Sequence, residues 1–238
     1  TNKEITLTTY SANSGVNYNP VSGINFPPRF LQNRVSHTLT DEDGNFSTTN
    51  EQVNTYFSYD PHGNVEWLVQ SIPELGKKYI RYEYDLVSNK VLKVIMNEKL
   101  VDQFMHRYFY DEDNRIVQVE TSLDGKIWDR DARYNYYVHG PLRRTLIGED
   151  KVQGLDNVYT IQGWLKAMNH PALELLSSYP GSESGNVGRD AWGMMLTYYH
   201  GDFNRTNSPF NSLYNNYSLI PSSTLFNGNI ASWTSNID

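Results

Sequence analysis

Three tyrosine–aspartate pairs, Tyr59–Asp60, Tyr84–Asp85 and Tyr110–Asp111, stand about two dozen residues apart in a chain of 238 residues. A phenol beside a carboxylate invites acid–base chemistry, because a proton can pass through either group. Six histidines, His37, His62, His106, His139, His170 and His200, add candidate bases and ligands. None lies in H-E-x-x-H or in a His/Cys spacing for zinc, so no metal role is expected of them. His62 and His139 each precede a glycine by one residue, which reads as a turn. The run "DEDGNFSTTNEQ", Asp41 to Gln52, looks like a calcium loop. An EF-hand requires glycine at its sixth place and glutamate at its twelfth, where this run has Phe46 and Gln52. Carboxylate pairs for glycoside hydrolysis need an acid and a base or nucleophile across a cleft. Glu83, Asp85, Glu112 and Asp113 sit at turns or alternate strand positions, as on a solvated face. Neither G-x-S-x-G nor a P-loop is present. No catalytic residue, cofactor or metal ligand is expected, and the chain reads as a non-enzyme.

The tyrosines and aspartates make sense through the elements that must position them. Asp60, Asp85 and Asp111 fall 25 and 26 residues apart, and the next places in phase are Tyr137 and Gln162. Before these anchors stand Tyr59, Tyr84, Tyr110, Tyr136 and Ile161, and two residues earlier Phe57, Tyr82, Tyr108, Tyr134 and Tyr159. Three residues after the anchors come Gly63, Ser88, Asn114, Gly140 and Leu165, with Gly163 in the last run. Weaker copies flank them: Asp41 with Gly44, Asp190 with Gly193, and "FNGNIASW" from Phe226 to Trp233. Such self-similarity is the mark of a repeat array.

An aromatic-x-aromatic pair has period two, so both rings face one side of a strand. The D-x-x-G/N that follows is a turn, with aspartate accepting backbone N–H bonds and Gly or Asn supplying a left-handed residue. At Ser88 the glycine is missing, so Asn89 is expected to be left-handed and this hairpin the least tight. Alternating runs, "NVEWLVQ", "KVLKVIM", "RIVQVET" and "PLRRTLI", form the return strands. "SLDGKIW", with Asp124–Gly125, supplies another turn. The expected fold is all-β, tandem hairpins stacked side by side, because one hairpin alone is marginal in water. Tyrosines of successive copies would then form a ladder across strands. Tyr84→Ala or Tyr110→Ala is expected to cost about 2–4 kcal/mol.

Composition agrees. Aromatics make up 13% of the chain, with 18 tyrosines, which suits strands and half-wet surfaces. The net charge of -7 argues against nucleic acid, and no apolar run approaches a membrane span. Cysteine is absent, which leaves the compartment open. Thr1 begins the chain without methionine or signal peptide, so it is read as a piece of a longer or processed polypeptide. The N-x-S/T sequons at Asn45, Asn204 and Asn216 are expected by chance in so Asn-rich a chain.

The tandem "YFSYDPHGN", "YEYDLVSN" and "YFYDEDNR" resembles the YD-repeat, or Rhs-repeat, family over about residues 38 to 165. The later "VQGLDNVYTIQGWLKAMNHP" and "GRDAWGMMLTYYHGDFNR" resemble, more loosely, Rhs-type proteins of Bacteroidetes-like bacteria. The resemblance implies a long curved sheet wound into part of a spiral shell, in a secreted or surface protein that encloses a toxin or other cargo. Partners would be the remaining repeats, the cargo, secretion machinery or a surface glycan. Members that release a toxin carry a late aspartyl-protease signature, which is not found here, so an interior segment is expected. The alternative is an extracellular binding module that grips a glycan or cell-surface partner with exposed aromatics; a hydrolase is the third. Trp164, Trp192 and Trp233 would stack sugars in that alternative, or fill a shell wall.

Residues 1–36 read as an irregular lead-in or degenerate repeat, 37–168 as the repeat array, and 169–238 as its looser continuation. Ala172 to Ser177 could form a helical turn, Gly181 to Gly188 a loop, and 201–224 a long Asn/Ser-rich loop suited to partner contact.

Overall fold

A computed structural model describes residues 4–41, 52–171, 190–199, 201–204 and 226–237. Among them are fourteen strands and no helix, so the all-β expectation holds. They are β1 (Ile5–Tyr10), β2 (Val35–Asp41), β3 (Gln52–Tyr59), β4 (Val65–Ile72), β5 (Gly76–Tyr84), β6 (Val91–Met96) and β7 (Phe104–Tyr110). There follow β8 (Ile116–Ser122), β9 (Asp129–Tyr136), β10 (Leu142–Ile147), β11 (Gln153–Tyr159), β12 (Leu165–Met168), β13 (Trp192–Thr197) and β14 (Ser232–Ile237). Strands follow one another in the sheet as they do in sequence. Neighbours pair antiparallel, as hairpins joined by short turns must. The helical turn, the two loops and the tip of the calcium-like run fall wholly or mainly outside the described residues.

The chain divides into two compact units. The first is Thr1–Phe109 with Val119–Asp129, the second Tyr110–Gln118 with Arg130–Asp238. In the first unit, register puts His37, Tyr56, Val69 and Tyr79 in one row across β2 to β5. The lead-in lies over this face. Tyr18, held by paired backbone bonds to Phe26, packs with Ile24 against Trp67, Val69 and Tyr79. Tyr18, Trp67 and Val69 are wholly buried. The lead-in thus covers the core of this unit.

The second unit has a smaller core, in which Val158, Ala167 and Met195 align across β11, β12 and β13, with Phe203 against them. Two sequence expectations need correction here. Gly193 is inside β13, not at a turn. A Cβ there would stand 2.4 Å from the His170 carbonyl oxygen, so close backbone approach demands the glycine. Likewise Asp41 closes β2 as a buried strand residue that accepts a bond from the Gln52 amide at 3.2 Å.

Candidate functional site

The repeated turn is the feature around which the chemistry-bearing residues gather. At the first, Asp60 N–H donates to Asn64 O at 2.9 Å and Gly63 N–H to Asp60 O at 3.1 Å. The Asp60 carboxylate accepts from the Asn64 backbone and side-chain amides, each at 2.9 Å. Burial works against its charge, but these bonds outweigh it and hold the carboxyl below its ordinary range. Asp111 takes the Arg115 backbone N–H and guanidinium at 2.8 Å each, with the same result. At Tyr137, which lacks a carboxylate, backbone bonds alone close the turn, Tyr137 N–H to Pro141 O and Gly140 N–H to Tyr137 O at 2.9 Å. The residue closing each turn is left-handed: Gly63 (φ 99°), Asn89 (57°), Asn114 (69°), Gly140 (113°) and Gly163 (86°).

Asn89 takes the expected conformation, and its N–H reaches Asp85 O one residue further along than in the other turns, at 3.0 Å. Asp85 caps this longer turn through Ser88 N–H at 2.7 Å and Ser88 Oγ at 2.8 Å. The fifth turn departs from the phase count. Its anchor is Thr160, whose N–H donates to Trp164 O at 2.8 Å and whose carbonyl takes Gly163 N–H at 2.9 Å. Gln162 is a tip residue, and Leu165 opens β12. Tyr159 therefore stands where Tyr59, Tyr84 and Tyr136 stand, directly before the turn.

Four of these hairpins, those at Asp60, Asp85, Tyr137 and Thr160, carry a bulge beside the turn. Tyr59 pairs with Val65, Tyr84 with Val91, Tyr136 with Leu142 and Tyr159 with Leu165, and one residue of the return strand is left over. The hydroxyls of Tyr59, Tyr84 and Tyr136, and that of Tyr198 after β13, reach the neighbouring strand. Tyr59 donates to Val35 O at 2.9 Å and Tyr84 to Val65 O at 2.8 Å in the first unit. In the second, Tyr136 donates to Ile116 O at 2.7 Å and Tyr198 to Leu165 O at 2.7 Å. The acceptor is the first residue of the preceding strand, so Tyr84 ties its own turn to the exit of the turn at Asp60. Burial pushes the Tyr84 hydroxyl up to about 12, keeping it a donor.

The expected ladder of adjacent tyrosines does not form. Tyr82 faces Val94, and Val94 faces His106, because each repeat contributes two strands and only one bears tyrosine. Within a strand the rings do share a face: Tyr82 and Tyr84 stack at 6.3 Å, as do His106 and Tyr108. Tyr110 ends β7 and Tyr134 faces Thr145. The latch therefore replaces the ladder, and it sets a prediction. Tyr84→Phe keeps the ring and leaves the Val65 carbonyl without that donor, so it should cost about 1 kcal/mol in a urea melt. A loss as large as that of Tyr84→Ala would show that ring packing is not separable from the latch.

Histidines are dispersed. His37 lies against Tyr56, His62 is 4.0 Å from the Asp60 carboxylate, and His139 stacks on Tyr137. Among the described residues no three His, Asp or Glu side chains gather as metal ligands. Trp164 packs on Tyr198 at 5.0 Å, whereas Trp233 is exposed on β14.

Two buried charge groups in the second unit escape sequence reading. Lys166 Nζ donates to both Asp202 oxygens, at 2.8 and 3.1 Å, and Asp202 also accepts Tyr198 N–H at 2.9 Å. Burial draws the Lys166 ammonium down, and Asp202 pulls it partly back. Lys166 is the leftover residue of its bulge, a place that carries Glu66 and Arg143 in other hairpins. The second group is Asp156, 3.5 Å from the buried Arg144, with Asp190 nearby. Burial, and then the Asp156 charge, push Asp190 up to about 6. Its folded form thus holds a proton more tightly than the unfolded chain does. The resulting stability is complete below about pH 4 and lost as pH rises through 6. Two pKa units amount to about 3 kcal/mol, and solvent reaching this half-buried group reduces that to about 1–2 kcal/mol. Denaturant melts at pH 5 and pH 8 should show the loss, and Asp190→Asn should flatten it. An unchanged slope in the variant would refute the assignment.

No protein-family model matches the chain, and no curated protein does. Among solved structures, the crystal structure of TcdB2–TccC3–TEV is similar, with 13% identity and a TM-score of 0.36 over 71% of this chain. The Photorhabdus luminescens Tc holotoxin pore gives 14% identity and a TM-score of 0.34 over 73%. The chain spans 10% and 11% of those chains. Likeness at this level carries no argument about what this chain does. No helix among the described residues is long and apolar enough to cross a membrane, which leaves β-barrels aside.

Proposed function

We propose that the chain is a wall segment of an Rhs-type shell in a large secreted or surface protein, where it helps to enclose a toxin or other cargo. The observation that supports this best is the recurring latch, in which the strand-end tyrosines Tyr59, Tyr84 and Tyr136 are each tied to the first residue of the preceding strand. Such a wall grows by identical local steps, with nearest-neighbour terms supplying the stability. Its turn carboxylates are occupied as caps, a structural use, and we assign the segment no catalytic role. The partners on this reading are further hairpins of the same polypeptide and the enclosed cargo. Electron cryomicroscopy of the complete gene product tests it. A closed β wall around additional density is expected, and a solid or extended body without an enclosed volume would overturn it.

A second reading, a glycan-binding module, has one feature in its favour. Tyr199 and Phe226 lie 4.6 Å apart, Phe226 is exposed, and Gln162 Nε2 donates to Tyr199 Oη at 2.7 Å. Retention on a glycan array that is abolished by Phe226→Ala would favour it over the shell.

A further inference from the structure

The first strand of the sheet has an unguarded edge. β1 pairs with β2 along one side, and among the described residues no strand lies along the other. Its sequence, Ile-Thr-Leu-Thr-Thr-Tyr, carries no charge, proline or glycine, and every residue but Thr9 is exposed. Edge strands are ordinarily guarded by lysine, proline, a bulge or a covering loop. Here the only bulge lies between Thr9 and Tyr10, at the far end, and Ile5 to Thr9 run regularly.

The free edge can be read group by group. Thr9 O accepts the Ser36 hydroxyl at 3.1 Å, and Ser11 N–H donates to Arg34 O at 3.0 Å. The odd-numbered residues therefore turn their backbone groups toward β2. By the alternation of an antiparallel strand, Thr6, Thr8 and Tyr10 turn theirs outward. Tyr10 O takes Ala12 N–H at 2.7 Å. Thr6 and Thr8 are left with outward donors and acceptors in the spacing that another extended strand matches.

We propose that this edge pairs with the same edge of a second copy of the chain, antiparallel about a two-fold axis at Leu7. Thr6 then exchanges backbone bonds with Thr8 of the second copy, and Thr8 with its Thr6. Between them Leu7 meets Leu7 of the second copy in a close, non-hydrogen-bonded pair, and Ile5 meets Thr9. Every outward backbone group of Thr6 and Thr8 gains a partner, so the strand matches itself. Charge favours this place for a self-contact. Copies with a net charge of -7 repel one another, and β1 brings no charge to the junction. The strand at the other end of the sheet, β14, suits the purpose less, because Ser232, Ser235 and Asn236 favour strands less than threonine and isoleucine do. Two-fold pairing uses the edge up, so assembly stops at the dimer. This inference does not depend on the shell reading.

Sedimentation of the 238-residue chain is the test. So small a junction makes a weak dimer, so the average mass should climb from monomer toward dimer between about 10 and about 500 μM. Over the same range the Thr6 and Thr8 amides should exchange hydrogen more slowly. Leu7→Lys and Leu7→Glu each set like charges face to face on the axis and should weaken association at least about tenfold. Their melts should be unchanged, because Leu7 is exposed in the single chain. An equimolar mixture of the two variants should associate again, since opposite charges then meet. Trp233→Lys, at an exposed position on β14, should leave association unaltered. A chain that stays monomeric throughout, as it would if a strand of its own polypeptide took this edge, overturns the inference. So does association that survives Leu7→Lys, an equal loss from Trp233→Lys, or a mixture no more associated than its components.

Discussion

Lys166→Ala should destabilise the second unit by about 3–5 kcal/mol, one of the two largest effects expected of any single change in the chain. The substitution removes a buried ammonium and leaves the Asp202 carboxylate in the interior without its counter-charge, which costs far more than the pair contributes. Two variants separate this cause from lost packing. Lys166→Met keeps most of the stem and should be almost as damaging as alanine, because Asp202 still lacks a partner. Adding Asp202→Leu to Lys166→Met should recover most of the loss, since two neutral groups carry no desolvation penalty. Recovery should stop about 1 kcal/mol short, because Tyr198 N–H also loses its acceptor. Urea melts of the three variants decide it. A double variant no more stable than Lys166→Met would show that the orphaned Asp202 charge is not the cause of the loss.

Trp67→Ala should cost about 3–5 kcal/mol in the first unit. The indole is wholly buried and lies 6.1 Å from the Tyr18 ring, which in turn meets Tyr79 edge-on at 5.5 Å. Removing it opens a cavity that strands on a hydrogen-bonded sheet cannot collapse to fill. It also removes the floor under the lead-in. Protease cleavage between Ser11 and Arg34 should therefore rise well above that of the wild type, while the sheet resists. Tyr18→Ala should give a similar loss, and the pair should be less than additive, because both empty the same contact. Strict additivity would show that Tyr18 draws its stability from elsewhere, for example from its backbone pairing with Phe26.

Much of this architecture can be read locally in the sequence. The turns at Asp60, Asp85 and Asp111 are legible because cap and left-handed residue lie within five positions of each other, and backbone geometry admits few residues there. Phase counting places the fifth turn two residues late, at Gln162 and not at Thr160, because it assumes a constant period. Thr160 does the work of aspartate with a hydroxyl, accepting Trp164 N–H at 3.2 Å. Gly193 resembled a turn residue, yet its smallness answers a distant strand, and nothing within its own neighbourhood announces that. Lys166 illustrates a third kind of failure. Strict alternation would assign it a solvent face, but the bulge slips the count by one and a one-residue slip reverses the faces. A strand-end tyrosine followed by a turn is the sequence signal that such a slip lies just beyond. The core under the lead-in is legible only in part: Trp67 alternates correctly, whereas its partner Tyr18 sits in a run with no period.

The longer turn at Asp85 has a wider consequence. Its extra residue shifts nothing else: Tyr84 still pairs with Val91 and still reaches Val65. Strand alignment is thus fixed by bulge and latch, and the turn merely closes the gap. Such an array can take longer tips by insertion without rewriting the sheet beneath. The same decoupling makes position 87, at the tip between Leu86 and Ser88, a place to graft a foreign peptide for display, with the melting temperature of the host as the measure of how little the wall notices.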